Sequence, residues 1–185
     1  YQTNAKVGQG EIFVAEADES DGSFLVSEGF GGIVTNVEPD HLDYWENFQS
    51  LCKAYQCFIS RIKSKKDLFL CGEDPFLQSL GLSDLYYGFS PSSALHIKLI
   101  NETFDGTYFK IHLDEKDYGP FFLPLVGKHY LLNASAALGC AIRIGAKESD
   151  LIEALASFKG VKRRLEMIYS SKDLTIFDDY AHHPT

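Results

Sequence analysis

The sequence predicts an α/β fold in which a mostly parallel β-sheet is flanked by helices and carries added antiparallel strands. Short apolar runs, typical of strands buried in a parallel sheet, recur along the chain. They alternate with longer segments whose apolar residues recur at helical spacing. A central stretch shows alternating hydrophobicity around an Asp-Gly pair, which is typical of a β-hairpin.

The first half of the chain predicts the parallel core. Residues 11–17 and 32–37 are short, mostly apolar runs and predict two buried strands, and residues 67–71 predict a third. Residues 44–64 predict one long amphipathic helix, because apolar side chains recur there every three or four positions. Pro75 to Leu80 predicts a short helix that Gly81 closes.

The second half predicts the antiparallel strands and two further helices. Within residues 85–126, Asp105-Gly106 predicts a hairpin turn, and Gly119-Pro120 predicts an interruption before another strand. Helices are predicted at 127–144, ending before Gly145, and at 149–158, and strands at 165–169 and 174–177.

Charge and composition exclude several classes of function. The chain has 185 residues and a formal net charge of −9, which would repel a nucleic-acid backbone. No segment approaches the roughly 18 unbroken apolar residues of a membrane span. Four cysteines lie at 52, 57, 71 and 140 without zinc or disulfide spacing, which favours buried thiols in a reducing cytoplasm.

Two acidic clusters follow predicted strands. The first comprises Glu16, Asp18, Glu19 and Asp21, and the second surrounds His41 in the segment Glu38-Pro39-Asp40-His41-Leu42-Asp43. Ligands bind beyond the carboxyl ends of strands in open α/β sheets, and carboxylates and imidazole can hold a metal ion there. The alternatives are a solvated acidic loop for the first cluster and a helix start capped by Asp43 for the second.

Three later segments have the chemistry of a nucleotide site. Gly127 to Asn133 opens a helix, and the Asn133 amide could pair with an adenine edge. Lys162-Arg163-Arg164 could bind phosphate oxygens, and the acids and histidines of 178–183 could contact ribose, substrate or metal. The alternatives for the first two are an ordinary helix start and a solvated basic turn. A G-x-x-x-x-G-K-[ST] phosphate loop does not occur in this sequence.

In this order, the clusters resemble the Mur ligase family of peptidoglycan precursor synthesis. The matching stretches are EADESDGSF (16–24), TNVEPDHLDYW (35–45), GKHYLLNASAAL (127–138), FKGVKRRLE (158–166) and DDYAHHPT (178–185). The resemblance implies a P-loop-type mononucleotide-binding core without its phosphate loop. It also implies a central ATP- and Mg²⁺-binding domain at 1–177, incomplete at its N-terminus, and a hinge at 178–185 into a missing C-terminal domain.

The resemblance also implies a reaction and a set of roles. The branch that it favours joins L-alanine to UDP-N-acetylmuramate through an acyl phosphate, with both substrates bound mainly by other domains. Glu16 and His41 match the metal ligands, His129 and Asn133 the adenine pocket, and Asp179 the ribose contact. Arg164 matches the arginine on the ATP phosphates, and His182 matches a residue that faces the substrate. The segment alone is expected to be inactive.

Two positions depart from the family pattern, and two alternatives stay open. Tyr130 stands where the family commonly has Asn, and Tyr55 stands where several relatives carry a carbamylated Lys, so no carbamyl-lysine is expected. One alternative is the family member that reattaches a recycled tripeptide to UDP-N-acetylmuramate. The other is a non-catalytic α/β binding domain, while the HHP motif disfavours the folate branch.

Overall fold

The computed structural model describes residues 5–181 and groups the chain into two compact units. The first unit comprises Tyr1–Gly29 and Glu38–Arg61, and the second comprises Phe30–Val37 and Ile62–Thr185. In the described part of the chain, no helix is long and apolar enough to cross a membrane.

The second unit contains a six-stranded sheet with the strand order β1-β2-β3-β4-β5-β6. Its strands β1 to β4 pair in parallel, and β5 and β6 add antiparallel pairs. The strands are β1 (Gly32–Val34), β2 (Leu68–Cys71), β3 (Tyr86–Gly88), β4 (Leu95–Thr103), β5 (Gly106–Leu113) and β6 (Lys116–Leu123). The predicted mixture of parallel and antiparallel pairing is therefore confirmed.

Helices α3 (Pro75–Ser79), α4 (Lys128–Arg143) and α5 (Glu148–Ala156) contact this sheet, as predicted. The backbone of α4 comes very close to the strands at Gly139. A Cβ atom added there would clash with Leu95 Cδ1 and lie 3.0 Å from Phe69 Cζ. Small residues on α4 thus allow the helix to pack closely against the sheet.

One buried carboxylate joins two parts of the second unit. Asp74, which is only 6% exposed, caps α3 by accepting a hydrogen bond of 2.7 Å from the Leu77 N–H. Its other oxygen accepts a bond of 3.0 Å from the N–H of Val37, just beyond β1. The carboxylate therefore ties the segment that leaves β1 to the start of α3.

A separate antiparallel hairpin completes the second unit. Strands β7 (Glu166–Ser170) and β8 (Thr175–Asp178) confirm the two strands predicted near the end of the chain. Apolar side chains on both strands are exposed, including Met167 at 60% and Phe177 at 56%. A two-stranded hairpin of this kind gains little stability by itself.

The first unit is helical around an aromatic cluster. It contains a short 3-10 turn at Ser23–Val26, α1 (Leu42–Trp45) and α2 (Phe48–Arg61). The Phe24 ring lies 5.3 Å from the ring of Tyr55 and 5.4 Å from that of Phe58. An edge-on contact with Trp45 at 6.2 Å adds to this cluster.

The strand predicted at 11–17 is wrong. The structure forms no strand there, and Phe13 and Val14 are 91% and 85% exposed. A β-branched, apolar run becomes a strand only when neighbouring strands accept its backbone hydrogen bonds. The described part of the first unit provides helices and turns, but no strand to pair with.

The single helix predicted at 44–64 is also wrong, because two helices form. Glu46 adopts φ 65° and ψ −43°, which ends α1. The Asn47 side chain then accepts a 2.9 Å bond from the Ser50 N–H and starts α2. The alternative that Asp43 is the N-cap of α1 is wrong as well, because His41 occupies that position.

Two details of the 85–126 region differ from the prediction. β3 lies in this region but pairs in parallel with β4. β6 runs through Gly119-Pro120 without interruption, and the turn before it lies at Asp114 and Glu115, both with positive φ. Proline is tolerated because β6 is the last strand of the sheet. The predicted turn at Asp105-Gly106 is confirmed between β4 and β5.

Candidate functional site

The acidic cluster at residues 16–21 lies in an exposed loop of the first unit, called the acidic loop below. Hydrogen bonds from the loop's own backbone partly order it. Glu16 and Asp18 are exposed. The Asp18 carboxylate accepts a 2.8 Å bond from the Ser20 N–H, and bonds from the side chain and backbone of Ser20 lower the pKa of Asp18. A negative charge is thereby favoured in this loop.

His41 lies close to two carboxylates of the same unit. Its Nε2 is 3.8 Å from Glu19 Oε1 and 3.8 Å from Asp40 Oδ2. Its backbone is left-handed, with φ 51°, and about a third of its side chain (36%) is exposed. The Trp45 indole N–H donates a 2.9 Å bond to the Glu19 carbonyl, which holds the acidic loop beside the end of α1.

This donor set suits a divalent cation in its chemistry, since carboxylate oxygens and a neutral imidazole are both metal ligands. The contact with His41 makes Glu19 a member of this cluster, whereas the resemblance pointed to Glu16. Among residues 5–181, no group of three or more His, Cys, Asp or Glu side chains is arranged to hold a metal ion. The cluster is thus not a preformed metal cage.

In the second unit, the start of α4 presents the predicted adenine-reading residues. His129 and Asn133 are both exposed and are four positions apart, so they share one face of the helix. On the opposite side, Leu131 and Ser135 are buried. The exposed face can therefore offer the Asn133 amide and the His129 ring to a flat heterocycle.

The predicted phosphate and ribose residues lie beside the same helix. Arg164 belongs to the turn between α5 and β7, and its carbonyl accepts a 2.6 Å bond from the Tyr130 hydroxyl. The Tyr180 N–H donates a 2.7 Å bond to the Arg163 carbonyl, which places the segment after β8, including Asp179, against this turn. The Arg163 guanidinium also lies over the Tyr180 ring, 4.6 Å from its centroid.

The nearby charged groups shift the pKa of Tyr130. Burial raises the pKa of Tyr130, the Asp179 carboxylate raises it further, and the Arg164 guanidinium lowers it. The second unit thus brings Tyr130, Arg164 and Asp179 together from three distant parts of the chain. His182 lies outside the described residues.

The sequence interpretation missed a charged pair at the edge of a cavity. Lys128 Nζ lies 2.8 Å from Glu73 Oε2 and 5.2 Å from the centre of the Phe89 ring. Burial raises the pKa of Glu73, but bonds from Lys128 and from the Phe89 N–H outweigh burial and leave the pKa lowered. The cavity, of ≈ 380 Å³, is lined by Glu73, Phe89, Leu99, Glu102, Gly127, Lys128 and Leu131.

The position of this cavity could have been predicted from the sequence. Glu73 follows β2 closely, Phe89 follows β3, and Gly127-Lys128 begins α4. In open α/β sheets, the space beyond the carboxyl ends of parallel strands is the usual ligand site. The lysine of the GKH motif is therefore a further candidate for this site.

Comparison with known proteins identifies relatives over the whole chain. The profile of the Mur ligase middle domain matches residues 3–141. UDP-N-acetylmuramate–L-alanine ligase of Granulibacter bethesdensis is 39% identical over 195 residues, covering 100% of this chain and 40% of that protein. The enzyme of the same name from Brachyspira hyodysenteriae is 40% identical over 181 residues, covering 95% of this chain and 39% of that protein. This chain thus spans about two fifths of the length of these relatives.

Solved structures share the fold. UDP-N-acetylmuramate–alanine ligase MurC of Thermotoga maritima superposes with a TM-score of 0.75 at 24% identity, covering 91% of this chain and 38% of that chain. The UDP-N-acetylmuramate:L-alanyl-γ-D-glutamyl-meso-diaminopimelate ligase of Neisseria meningitides gives 0.59 at 22% identity, covering 76% of this chain and 43% of that one. At these identities the likeness concerns the fold alone.

Proposed function

Because this chain belongs to the Mur ligase family by its middle domain, we propose that it is the central, ATP-handling part of a ligase that joins L-alanine to UDP-N-acetylmuramate. The observation that carries the proposal is the match over 100% of the chain to a relative of that name at 39% identity. We call the longer protein that would contain this chain the complete ligase.

The proposed reaction forms one amide bond at the expense of ATP. An oxygen of the muramate carboxylate attacks the γ-phosphorus, which produces an acyl phosphate and releases ADP. The amine of L-alanine then attacks the acyl carbon, and inorganic phosphate and a proton leave. Positioning and neutralisation of phosphate charge would supply most of the acceleration.

We propose that the second unit binds the nucleotide. Asn133 would pair with the adenine edge, and His129 would line the same pocket. Arg164 would bind phosphate oxygens with its guanidinium fork, and Asp179 would accept hydrogen bonds from the ribose hydroxyls. The placement of Arg164 and Asp179 beside Tyr130, next to His129 on α4, supports this grouping.

We propose that Glu16 and His41 of the first unit hold Mg²⁺, which would offset the negative charge of the phosphates. The contact between His41 and Glu19 makes Glu19 a third candidate ligand. Carboxylate oxygens are hard donors that suit Mg²⁺, and Mg²⁺ commonly retains several waters in protein sites. Few protein ligands would therefore be needed.

Replacement of a metal ligand should change the Mg²⁺ requirement of the complete ligase. We expect Glu16→Gln and His41→Ala each to raise the Mg²⁺ concentration for half-maximal activity by about tenfold or more, because a ligand to the ion is lost. The measurement is phosphate release at saturating ATP across a Mg²⁺ titration. Glu11→Gln, an exposed acid of the same segment, is the matched control and should leave the titration unchanged.

The same Mg²⁺ titration of Glu19→Gln would show which of the two acids, Glu16 or Glu19, binds the ion. A shift for Glu16→Gln alone would support the assignment from the sequence, and a shift for Glu19→Gln alone would transfer the role to Glu19. Titrations identical to wild type for Glu16→Gln, Glu19→Gln and His41→Ala would refute a metal site in this unit.

The remaining parts of the proposal concern the complete ligase. Residues 1–177 would be its central domain, and 178–185 would lead as a hinge into a C-terminal domain. UDP-N-acetylmuramate and L-alanine would be held mainly outside the present chain, which would be inactive alone. A cytoplasmic location would suit the use of ATP and the four cysteines, which lack disulfide spacing in the sequence.

A substrate panel tests the proposed reaction. The complete ligase, supplied with ATP, Mg²⁺ and UDP-N-acetylmuramate, should release phosphate when L-alanine is added. Release only with the tripeptide L-Ala-γ-D-Glu-meso-diaminopimelate would assign the protein to cell-wall recycling while leaving the nucleotide roles in place. Release with neither acceptor would contradict the ligase proposal.

A further inference from the structure

Tyr130 makes a long-range hydrogen bond that no role assigned above requires. Its hydroxyl donates to the carbonyl oxygen of Arg164 at 2.6 Å, across 34 positions of sequence. The Tyr130 side chain is half-buried, and its ring lies 4.1 Å from the ring of His129. The residue thus contacts one candidate adenine residue and one candidate phosphate residue at once.

The turn that carries Arg164 is exposed and has an unusual backbone. Residues 161–165 are all exposed, and Arg163 and Leu165 have φ values of 59° and 48°. Left-handed backbone at non-glycine residues is uncommon and costs free energy, so contacts must hold it. The Tyr130 hydroxyl supplies such a contact from α4.

Three further hydrogen bonds of this turn are local or come from the segment after β8. The Arg164 N–H donates to the Val161 carbonyl at 3.2 Å, and the Arg163 N–H donates to Glu166 Oε2 at 2.9 Å. The Tyr180 N–H donates to the Arg163 carbonyl. Of these contacts, the Tyr130 bond is the one that joins the turn to the helix carrying His129 and Asn133.

We propose that Tyr130 is a positioning residue that holds the backbone of Arg164 in register with the adenine-reading face of α4, so that one nucleotide meets Arg164, His129 and Asn133 together. This inference deepens the proposed function and rests on it. A shorter side chain at position 130 could not span to the Arg164 carbonyl without movement of the turn. Preorganisation of this kind lowers the entropy lost when the nucleotide binds.

Tyr130→Phe in the complete ligase tests the proposal, because it retains the ring and removes only the hydroxyl. We expect KM for ATP to rise roughly 3- to 10-fold, the value of one hydrogen bond, with kcat within about twofold of wild type. Amide hydrogen exchange of residues 161–166 should quicken by a similar factor. Tyr108→Phe, which removes a hydroxyl from β5, is the matched control and should change neither quantity.

A second variant separates positioning from a general structural effect. If Tyr130 acts through the Arg164 side chain, Tyr130→Phe should have no further effect on KM for ATP in an Arg164→Ala background. Faster exchange with an unchanged KM, or the same KM increase in both backgrounds, would overturn the proposal. Unchanged exchange would overturn it as well, whereas a wild-type protein without ligase activity would contradict the proposed function instead.

Discussion

Arg164→Ala in the complete ligase is expected to lower kcat/KM for ATP by about 100-fold. A guanidinium fork makes two charge-assisted hydrogen bonds to phosphate oxygens, and loss of such a donor typically costs 10²- to 10³-fold in rate. The side chain is exposed, and the structure uses the Arg164 backbone carbonyl, not the guanidinium, for the bond to Tyr130. Folding should therefore be preserved. Steady-state kinetics with ATP as the varied substrate would measure the effect.

Two further variants distinguish charge from geometry. Arg164→Lys retains the charge but lacks the planar fork, so we expect it to recover only part of the lost activity. Lys172→Ala removes an exposed cation from the β7–β8 turn and should leave the kinetics unchanged. Wild-type kcat/KM for Arg164→Ala would show that the basic turn at 162–164 is a solvated surface feature, the alternative stated from the sequence.

Asp74→Ala is expected to destabilise the chain by about 3 kcal/mol. The substitution removes the cap of α3 and leaves the N–H groups of Leu77 and Val37 without their acceptor. Loss of an N-cap costs about 1 kcal/mol, and a buried polar group left unsatisfied costs roughly 1–3 kcal/mol. For a chain of this size, the melting temperature should fall by roughly 6–12 °C. Thermal unfolding followed by circular dichroism would measure the change.

Two further variants serve as controls for Asp74→Ala. Asp74→Asn retains one carbonyl oxygen as an acceptor and should have an intermediate effect. Asp84→Ala removes an exposed acid ten residues away and should change stability by less than about 0.5 kcal/mol. Equal melting temperatures for wild type and Asp74→Ala would show that the two hydrogen bonds contribute no net stability.

The secondary structure was predicted best where one local pattern sufficed. Leu68–Cys71 is apolar at every position and is buried at every position, as its composition indicated. The helix at Lys128–Arg143 also matched, because its Ala-rich middle agrees with both helix propensity and close packing on a sheet. Local preference and tertiary packing favoured the same structure in both segments.

Prediction failed where a local pattern depended on a distant partner or on one backbone angle. The run Ile12-Phe13-Val14 has strand propensity, but a strand requires another strand to pair with. The helix at 44–64 has a continuous apolar face, yet Glu46 interrupts it with a positive φ. Hydrophobic periodicity indicates which side chains are buried, but it does not reveal a change of backbone angle that separates two helices.

By itself, the sequence determined the fold class, the family and the i, i+4 pair His129 and Asn133, because α-helical spacing alone places that pair on one face. The tertiary structure decided which side chains from distant segments meet. It placed Glu19 beside His41, Lys128 beside Glu73, and the Tyr130 hydroxyl on the Arg164 carbonyl. Such contacts depend on how helices and turns pack in three dimensions, and residue order along the chain does not specify that packing locally.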